Sequence, residues 1–196
     1  NFDLAKKGGY LALHSPSGAK IDEYVYQEQA PNASNGMAME AEKIGLLAPG
    51  AVARVFVPRD ASLAATWTEV DFGAAAWREG PSPLGYGVRE DVIKTNVQTD
   101  LQNVNSSIYA RIAFDVPDPS LLGFLTLRMS YDDGFVAWLN GKEIARGNVP
   151  ATVAWNSRST NRAHDPNLVE QFDLSAQVAS IRPGKNVLAL QVLNRT

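Results

Sequence analysis

Short stretches in which hydrophobic and polar residues alternate recur along the chain, and this period of two predicts β-strands. In Leu125–Tyr131 the odd-numbered positions are large and apolar, whereas Thr126, Arg128 and Ser130 are polar. The dipeptide Asn140-Gly141 ends another apolar stretch and is a strong hairpin signal, because both central residues of a type I′ turn need φ > 0. The pattern therefore predicts antiparallel strands with one buried face and one wet face.

Several other segments have the same alternating or β-branched character. They are Gly9–Leu13, Ala53–Val57, Ile108–Val116, Thr126–Tyr131, Phe135–Leu139 and Asn186–Leu193. A helical pattern fits only short pieces such as Ser175–Ile181, which follows the candidate cap Asp173 and precedes Pro183-Gly184. The number of strands and the spacing of their turns predict an all-β fold, an antiparallel β-sandwich or jelly roll.

Composition narrows the classes of partner and chemistry. With 196 residues, 45% of them hydrophobic, the chain is long enough to bury a core and to form one large or two small domains. A formal net charge of −3 without a Lys/Arg cluster argues against nucleic acid as a partner. The absence of cysteine excludes disulfides, thiolate metal sites and a cysteine nucleophile. No apolar run approaches the roughly 18 residues of a membrane span, and the first residue, Asn1, favours a mature or excised piece of a longer protein.

A segment rich in Pro, Gly, Asn and Ser lies within Ala30–Ala51 and predicts a linker. We therefore expect one domain over residues 1–36, a linker over residues 37–52 and a second domain over residues 53–196. The first segment, Asn1–Tyr24, predicts a short β-hairpin with its turn near Gly18-Ala19.

The hairpin segment carries Phe2, Leu4, Gly8 and Leu13 at a characteristic spacing. On these residues it resembles the last strands of a lamin-tail, immunoglobulin-like domain of the bacterial extracellular kind. The resemblance implies that residues 1–36 form the C-terminal part of such a domain.

Four phrases in the remainder of the chain recur in a known order. They are Val57-Pro58 with Trp67, Asp71-Phe72, Trp77 and Leu84–Gly87; Arg111–Phe114; Tyr131–Ala145; and Gly184–Gln191. On these phrases Ala53–Thr196 resembles the galactose-binding-like β-sandwich module of large secreted bacterial proteins. The resemblance implies an extracellular or cell-surface location and neighbouring domains in the same longer chain, and it leaves open sugar binding, protein contact and spacer roles.

The adjacent carboxylates Asp132 and Asp133 lie in a predicted turn and suggest a cation site, because Ca²⁺ prefers oxygens from carboxylates and turn carbonyls. The Asp-Asp-Gly phrase also resembles, locally, the strand-turn of sugar-binding adhesins related to anthrax protective antigen, which implies a bound Ca²⁺. We expect such an ion to be structural. The alternative is that both side chains cap the turn through Asx hydrogen bonds.

Aromatic rings beside polar loop residues are the second sequence feature that suggests carbohydrate binding, because sugar rings stack on aromatic side chains and their hydroxyls bond to polar groups. Trp155 precedes the polar loop Asn156–Asp165, and rim loops of a sandwich commonly carry binding sites. Trp67 and Trp77 lie in apolar phrases that predict core positions. The predicted ligand-binding residues are Trp155, Asn156, Arg158, Asn161, His164 and Trp138. A solvated loop without a ligand is the alternative.

Catalytic signatures are missing from the sequence, which has two histidines and lacks a nucleophile elbow, a zinc-protease helix and a phosphate loop. We therefore expect a non-catalytic carbohydrate-binding module whose partner is a polysaccharide or other glycan, and the acidic turn adds the option of assistance by Ca²⁺. The alternative is a structural spacer or protein-interaction module. The first hypothesis predicts an aromatic ring beside polar groups in a concave site, and the second predicts buried tryptophans without such a site.

Overall fold

The computed structural model describes residues 5–28, 42–87, 89–160 and 165–195. Two compact units, Asn1–Ile44 and Gly45–Thr196, make up the structure. The smaller unit contains strands β1 (Gly9–His14) and β2 (Lys20–Tyr26), which pair antiparallel. This arrangement confirms the predicted N-terminal hairpin. Its lamin-tail identity and the exact domain limits stay predictions.

Most of the regular secondary structure in the described part of the larger unit is β-strand. The strands are β3 (Val52–Phe56), β4 (Arg78–Pro81), β5 (Leu84–Gly85), β6 (Thr95–Asn96), β7 (Ser107–Val116), β8 (Thr126–Met129), β9 (Gly134–Leu139), β10 (Lys142–Gly147), β11 (Glu170–Asp173) and β12 (Gly184–Leu193). The helical pieces are α1 (Gln98–Leu101) and 3₁₀ turns at Thr66–Thr68, Pro119–Leu121 and Ser175–Ser180. None of these described helices is long and apolar enough to cross a membrane.

One sheet of six strands organises the larger unit, in the order β10-β9-β12-β7-β3-β4. Its front face carries alternate residues such as Val55, Leu190 and Phe135, and the pair β8–β11 packs on this face. The rings of Phe135 and Phe172 of β11, for example, meet edge to face at 5.3 Å between centroids. These two packed layers form the β-sandwich that the strand pattern predicts.

The turn between β9 and β10 has the geometry that its sequence predicts. Asn140 and Gly141 have φ values of 52° and 87°, and Leu139 pairs directly with Lys142. Positive φ at both positions defines the type I′ turn, which matches the right-handed twist of the strands.

The short helix expected over Ser175–Ile181 is a 3₁₀ helix over Ser175–Ser180. The carboxylate of Asp173 accepts a hydrogen bond from the Ser175 backbone N–H at 2.9 Å, which satisfies one of the donors exposed at the start of the helix.

Candidate binding site

The acidic turn lies at one rim of the sandwich, where it is tied to the end of β12. The Asp133 N–H donates to the Leu193 carbonyl at 3.2 Å, and Asp133 Oδ2 accepts from the Arg195 N–H at 2.8 Å. The side-chain amide of Asn148 donates to the Asp133 carbonyl at 2.8 Å. The peptide bond between Asp132 and Asp133 is cis. The carboxylate of Asp133 therefore has a hydrogen-bonding role in holding the chain after β12.

The polar loop that the sequence singles out meets the acidic turn at Asn148. The Thr160 N–H donates to the Asn148 carbonyl at 3.0 Å, and the hydroxyl of Thr160 bonds the side chain of Asn148. The Ser159 N–H donates to the Asn194 carbonyl at 3.1 Å. The structure thus brings the two predicted features to one rim. Asn161 and His164 lie outside the described residues.

The predicted aromatic residues Trp138 and Trp155 belong to an aromatic cluster on the back face of the six-stranded sheet. The aromatic cluster consists of Phe56, Trp67, Phe72, Trp77, Tyr109, Trp138 and Trp155. Trp138 and Trp155 are half-buried in it, whereas Asn156 and Arg158 are exposed. Trp138 and Trp155, which were predicted to bind a ligand, therefore use part of their ring surface for contacts within the cluster.

Trp67 and Trp77 form the centre of the aromatic cluster, with only 2% and 8% of their surface exposed. The ring of Trp67 stacks on that of Tyr109 at 3.9 Å and meets that of Trp138 edge-on at 5.3 Å. Burial raises the pKa of Tyr109 to about 12, because the phenolate would lose its hydration. The expectation that Trp67 and Trp77 are core residues is confirmed.

The calcium prediction rests on Asp132 and Asp133 alone. Across the described ranges, His, Asp and Glu side chains form no group of three or more that could hold a metal ion. Since Ca²⁺ takes about six to eight oxygen ligands, carbonyls and water would supply most of them. The site stays a prediction.

A concave cleft lies beside the aromatic cluster, on the part of the back face that the cluster leaves open. Its volume is about 410 Å³. The lining residues are Val52, Arg54, Phe72, Ala74, Glu79, Arg111, Ala113, Lys185 and Val187. The predicted site residues are not among them.

Strand register places three charged groups of the cleft, Glu79, Arg54 and Arg111, in one row across the sheet. Glu79 of β4 pairs with Arg54 of β3, and Arg54 pairs with Arg111 of β7. The guanidinium of Arg54 contacts Glu79 Oε1 through Nε at 2.9 Å and Nη2 at 2.6 Å. The two arginines are therefore direct cross-strand neighbours, an arrangement that is destabilising for like charges unless something compensates.

Arg111 has an unusual environment for a cation. It is only 6% exposed, its guanidinium donates to the Trp67 carbonyl, and it lies 5.2 Å from the centroid of the Phe72 ring. Among the described residues it has no carboxylate partner, since the ion pair of Glu79 is with Arg54. Burial, and secondarily the nearby Arg54, lowers the pKa of Arg111. An anion beside the guanidinium would act in the opposite direction on the pKa, because an opposite charge favours the charged form.

The rest of the lining completes a mixed surface. Ala113 and Val187 pair across β7 and β12 and form a small apolar floor. Lys185 lies two residues before Val187 on the same face of β12 and, among the described residues, makes no ion pair within 4.0 Å. Three cations and one carboxylate thus line the cleft, and strand register places a second carboxylate, that of Asp115, directly across from Lys185.

Comparisons with known proteins give fold similarity only. No protein-family model matches the chain, and no curated protein matches it. Solved structures with a similar fold include a β-glucuronidase of an uncultured Clostridium species, at 20% identity and a TM-score of 0.47, covering 74% of this chain and 21% of that chain. They also include the Bifidobacterium dentium β-glucuronidase complexed with coumarin-3-O-glucuronide, at 17% identity and a TM-score of 0.45, covering 74% of this chain and 19% of that one.

A β-glucuronidase from glycoside hydrolase family 2 is similar at 13% identity and a TM-score of 0.47, with 79% of this chain and 15% of that chain covered. The chain thus spans about a fifth or less of the length of these enzymes. Similarity at this level says nothing of what the chain binds.

Proposed function

We propose that this chain is a non-catalytic carbohydrate-binding module. The observation that carries the proposal is the cleft on the back face, where the Phe72 ring and the apolar floor lie beside the guanidiniums of Arg54 and Arg111. A pyranose presents an apolar face that packs on such a surface, and its hydroxyls bond to planar guanidinium and carboxylate groups. The cleft volume of about 410 Å³ is within the range of small-ligand sites.

The charge arrangement in the cleft favours binding over bond cleavage. Glycoside hydrolysis commonly uses two carboxyl groups that flank the scissile bond. The described lining of the cleft supplies one, Glu79, and it is paired with Arg54 at 2.6 Å. The Glu79 carboxylate therefore binds and orients the guanidinium of Arg54.

The biological role that we propose follows from binding without catalysis. A module that holds a glycan keeps covalently linked domains near the same polysaccharide, which raises their effective concentration there. We propose that this chain serves a larger extracellular or cell-surface protein in this way, with a polysaccharide and the other domains of that protein as its partners.

Replacing Phe72 by alanine should weaken retention on a polysaccharide roughly tenfold, because aromatic contacts in a binding site commonly contribute more than 1 kcal/mol. Affinity electrophoresis through gels containing neutral or acidic polysaccharides measures the effect. Phe124→Ala is the matched control, since Phe124 is 62% exposed and does not line the cleft. If Trp155→Ala loses retention and Phe72→Ala keeps it, the binding site lies at the rim and not in the cleft. If the wild type is retained on no glycan, the proposed function is refuted.

The proposal extends to a structural Ca²⁺ at the acidic turn. Saturating Ca²⁺ should raise the unfolding temperature by about 5 °C, since a ligand at a hundredfold excess over its Kd stabilises by about 2.7 kcal/mol. Differential scanning calorimetry with Ca²⁺ and with EDTA tests this in the wild type and in Asp132→Asn/Asp133→Asn. The control is Asp118→Asn, whose carboxylate caps a different turn through Ser120. An unfolding temperature indifferent to Ca²⁺ would leave only the hydrogen-bonding role of the turn.

A structural or protein-interaction module is the second candidate. The observation that favours it is the burial of Trp67 and Trp77, which form core instead of a ligand platform. The same retention experiment separates the two functions, because a spacer would pass through every polysaccharide gel at the rate of an inert protein of its size and charge.

A further inference from the structure

The chemical class of the ligand follows from the unbalanced charge of the cleft, if the proposed function holds. Arg54, Arg111 and Lys185 contribute three positive charges, of which Glu79 offsets that of Arg54, and Asp115 lies directly across from Lys185 on β7. A neutral sugar would leave Arg111, the buried cation of the cleft, without a counterion. We infer that the cleft binds an acidic saccharide, in which the carboxylate of a uronate unit pairs with the two adjacent arginines.

The geometry favours a carboxylate over a general anion. A guanidinium presents parallel N–H donors in a planar fork that matches the two oxygens of a carboxylate. Arg111 is pre-positioned for this contact, because its Nη1 is already held by the Trp67 carbonyl and its plane lies near the Phe72 ring. Little side-chain entropy would be lost on binding, and a partly desolvated site strengthens the ion pair.

The distribution of the cations points to a saccharide with more than one carboxylate. Arg111 pairs with Ala189 of β12, and Lys185 lies four residues earlier on that strand. This spacing corresponds to about 13 Å along the sheet, with Ala113 and Val187 between the two ends. A single ligand carboxylate at Arg111 would leave Lys185 with Asp115 of β7 as its neighbouring carboxylate. An oligouronate places an acidic group at each end and the apolar parts of its rings over the floor.

The experiment compares acidic oligosaccharides with their own neutral forms. Oligogalacturonate, oligoalginate and hyaluronan oligosaccharides are titrated into the full chain by isothermal titration calorimetry, and the same preparations are titrated after chemical reduction of their carboxyl groups. We expect at least one acidic form to bind, and its reduced form to bind about tenfold or more weakly, as for the loss of charge-assisted hydrogen bonds. A dextran sulfate arm tests whether negative charge alone suffices.

Variants place the carboxylate within the cleft. Arg111→Gln should weaken binding of the acidic form about tenfold more than binding of the reduced form, and Lys185→Gln should shift the ratio of the two affinities in the same direction. Because Lys185 is exposed, Lys185→Gln is expected to fold normally, and it still tests the inference if Arg111→Gln does not fold. The matched control is Arg128→Gln, because Arg128 is exposed on β8 and does not line the cleft.

Each outcome separates the ligand class from the function. Equal affinity for acidic and reduced forms, with dependence on Phe72, would overturn the acidic-ligand inference and leave carbohydrate binding standing. Equal affinity for dextran sulfate would replace carboxylate recognition by non-specific charge attraction, which overturns the inference as well. The absence of binding to every acidic and neutral saccharide would refute the proposed function itself.

Discussion

Replacing Asn186 by alanine is expected to lower the free energy of unfolding by about 3 kcal/mol. Asn186 is fully buried, and its amide makes four hydrogen bonds of 2.8 Å. The oxygen accepts from Asn140 Nδ2 and the Arg182 N–H, and the nitrogen donates to the carbonyls of Arg182 and Gly184. Alanine would remove all four bonds, and those to the buried Asn140 and the half-buried Gly184 would not be fully replaced by water, whereas Arg182 is exposed. Urea denaturation monitored by tryptophan fluorescence measures the difference.

The expected loss depends on burial, and a second asparagine provides the comparison. Asn156 is exposed, and its hydrogen bond to the described residues is made by its backbone carbonyl, which accepts from the Ser106 hydroxyl at 3.0 Å. Asn156→Ala should therefore change the free energy of unfolding by no more than about 0.5 kcal/mol. Equal effects in the two variants would mean that the network between the β9–β10 turn and β12 contributes little to stability.

Replacing Trp67 by alanine is expected to destabilise the fold by about 4 kcal/mol, since Trp67 is 2% exposed at the centre of the aromatic cluster. The change removes its stacking on Tyr109 and its edge contact with Trp138, and leaves a cavity behind the sheet. The near-UV circular dichroism of the cluster should fall at the same time. Thermal and urea unfolding give the free energy.

Trp155→Ala is the matched tryptophan truncation, because Trp155 belongs to the same cluster but is half-buried. We expect a loss of about 1–2 kcal/mol there. Trp67→Phe should recover part of the stability lost in Trp67→Ala by refilling much of the cavity. A loss at Trp67 no larger than that at Trp155 would contradict the central position of Trp67 in the core.

Features encoded by neighbouring residues were predictable from the sequence. The turn at Asn140-Gly141 depends on the φ preferences of two adjacent residues, so the local sequence determines it. The strands β1, β3, β7, β8, β9 and β12 were predictable for the same reason, since alternation is a property of one segment at a time. The short strands β4, β5, β6 and β11 are not among the predicted segments. The structure also brings the polar loop and the acidic turn to one rim, although their binding role stays a prediction.

The cleft was not predictable, because it depends on which strands pair and in which register. Glu79, Arg54 and Arg111 lie in three separate segments, and only the pairing of β4, β3 and β7 makes them neighbours. The sequence does contain one signal. Arg54 and Arg111 are cations inside otherwise apolar strands. A buried cation is unfavourable unless it is paired, so each predicts a polar or anionic partner from another segment of the chain.

A site built from paired strands differs from one built on loops in how it can change. Insertions and deletions in loops would leave the arginine row intact, whereas a slip of one residue in β3 would turn Arg54 towards the sandwich interior. The cleft exists only when β4, β3, β7 and β12 are paired in their native register. The charged groups of the cleft can therefore change only by substitution at fixed strand positions, whereas Phe72 lies on the loop before β4 and can change with that loop. Ligand binding would report directly on correct assembly of the sheet.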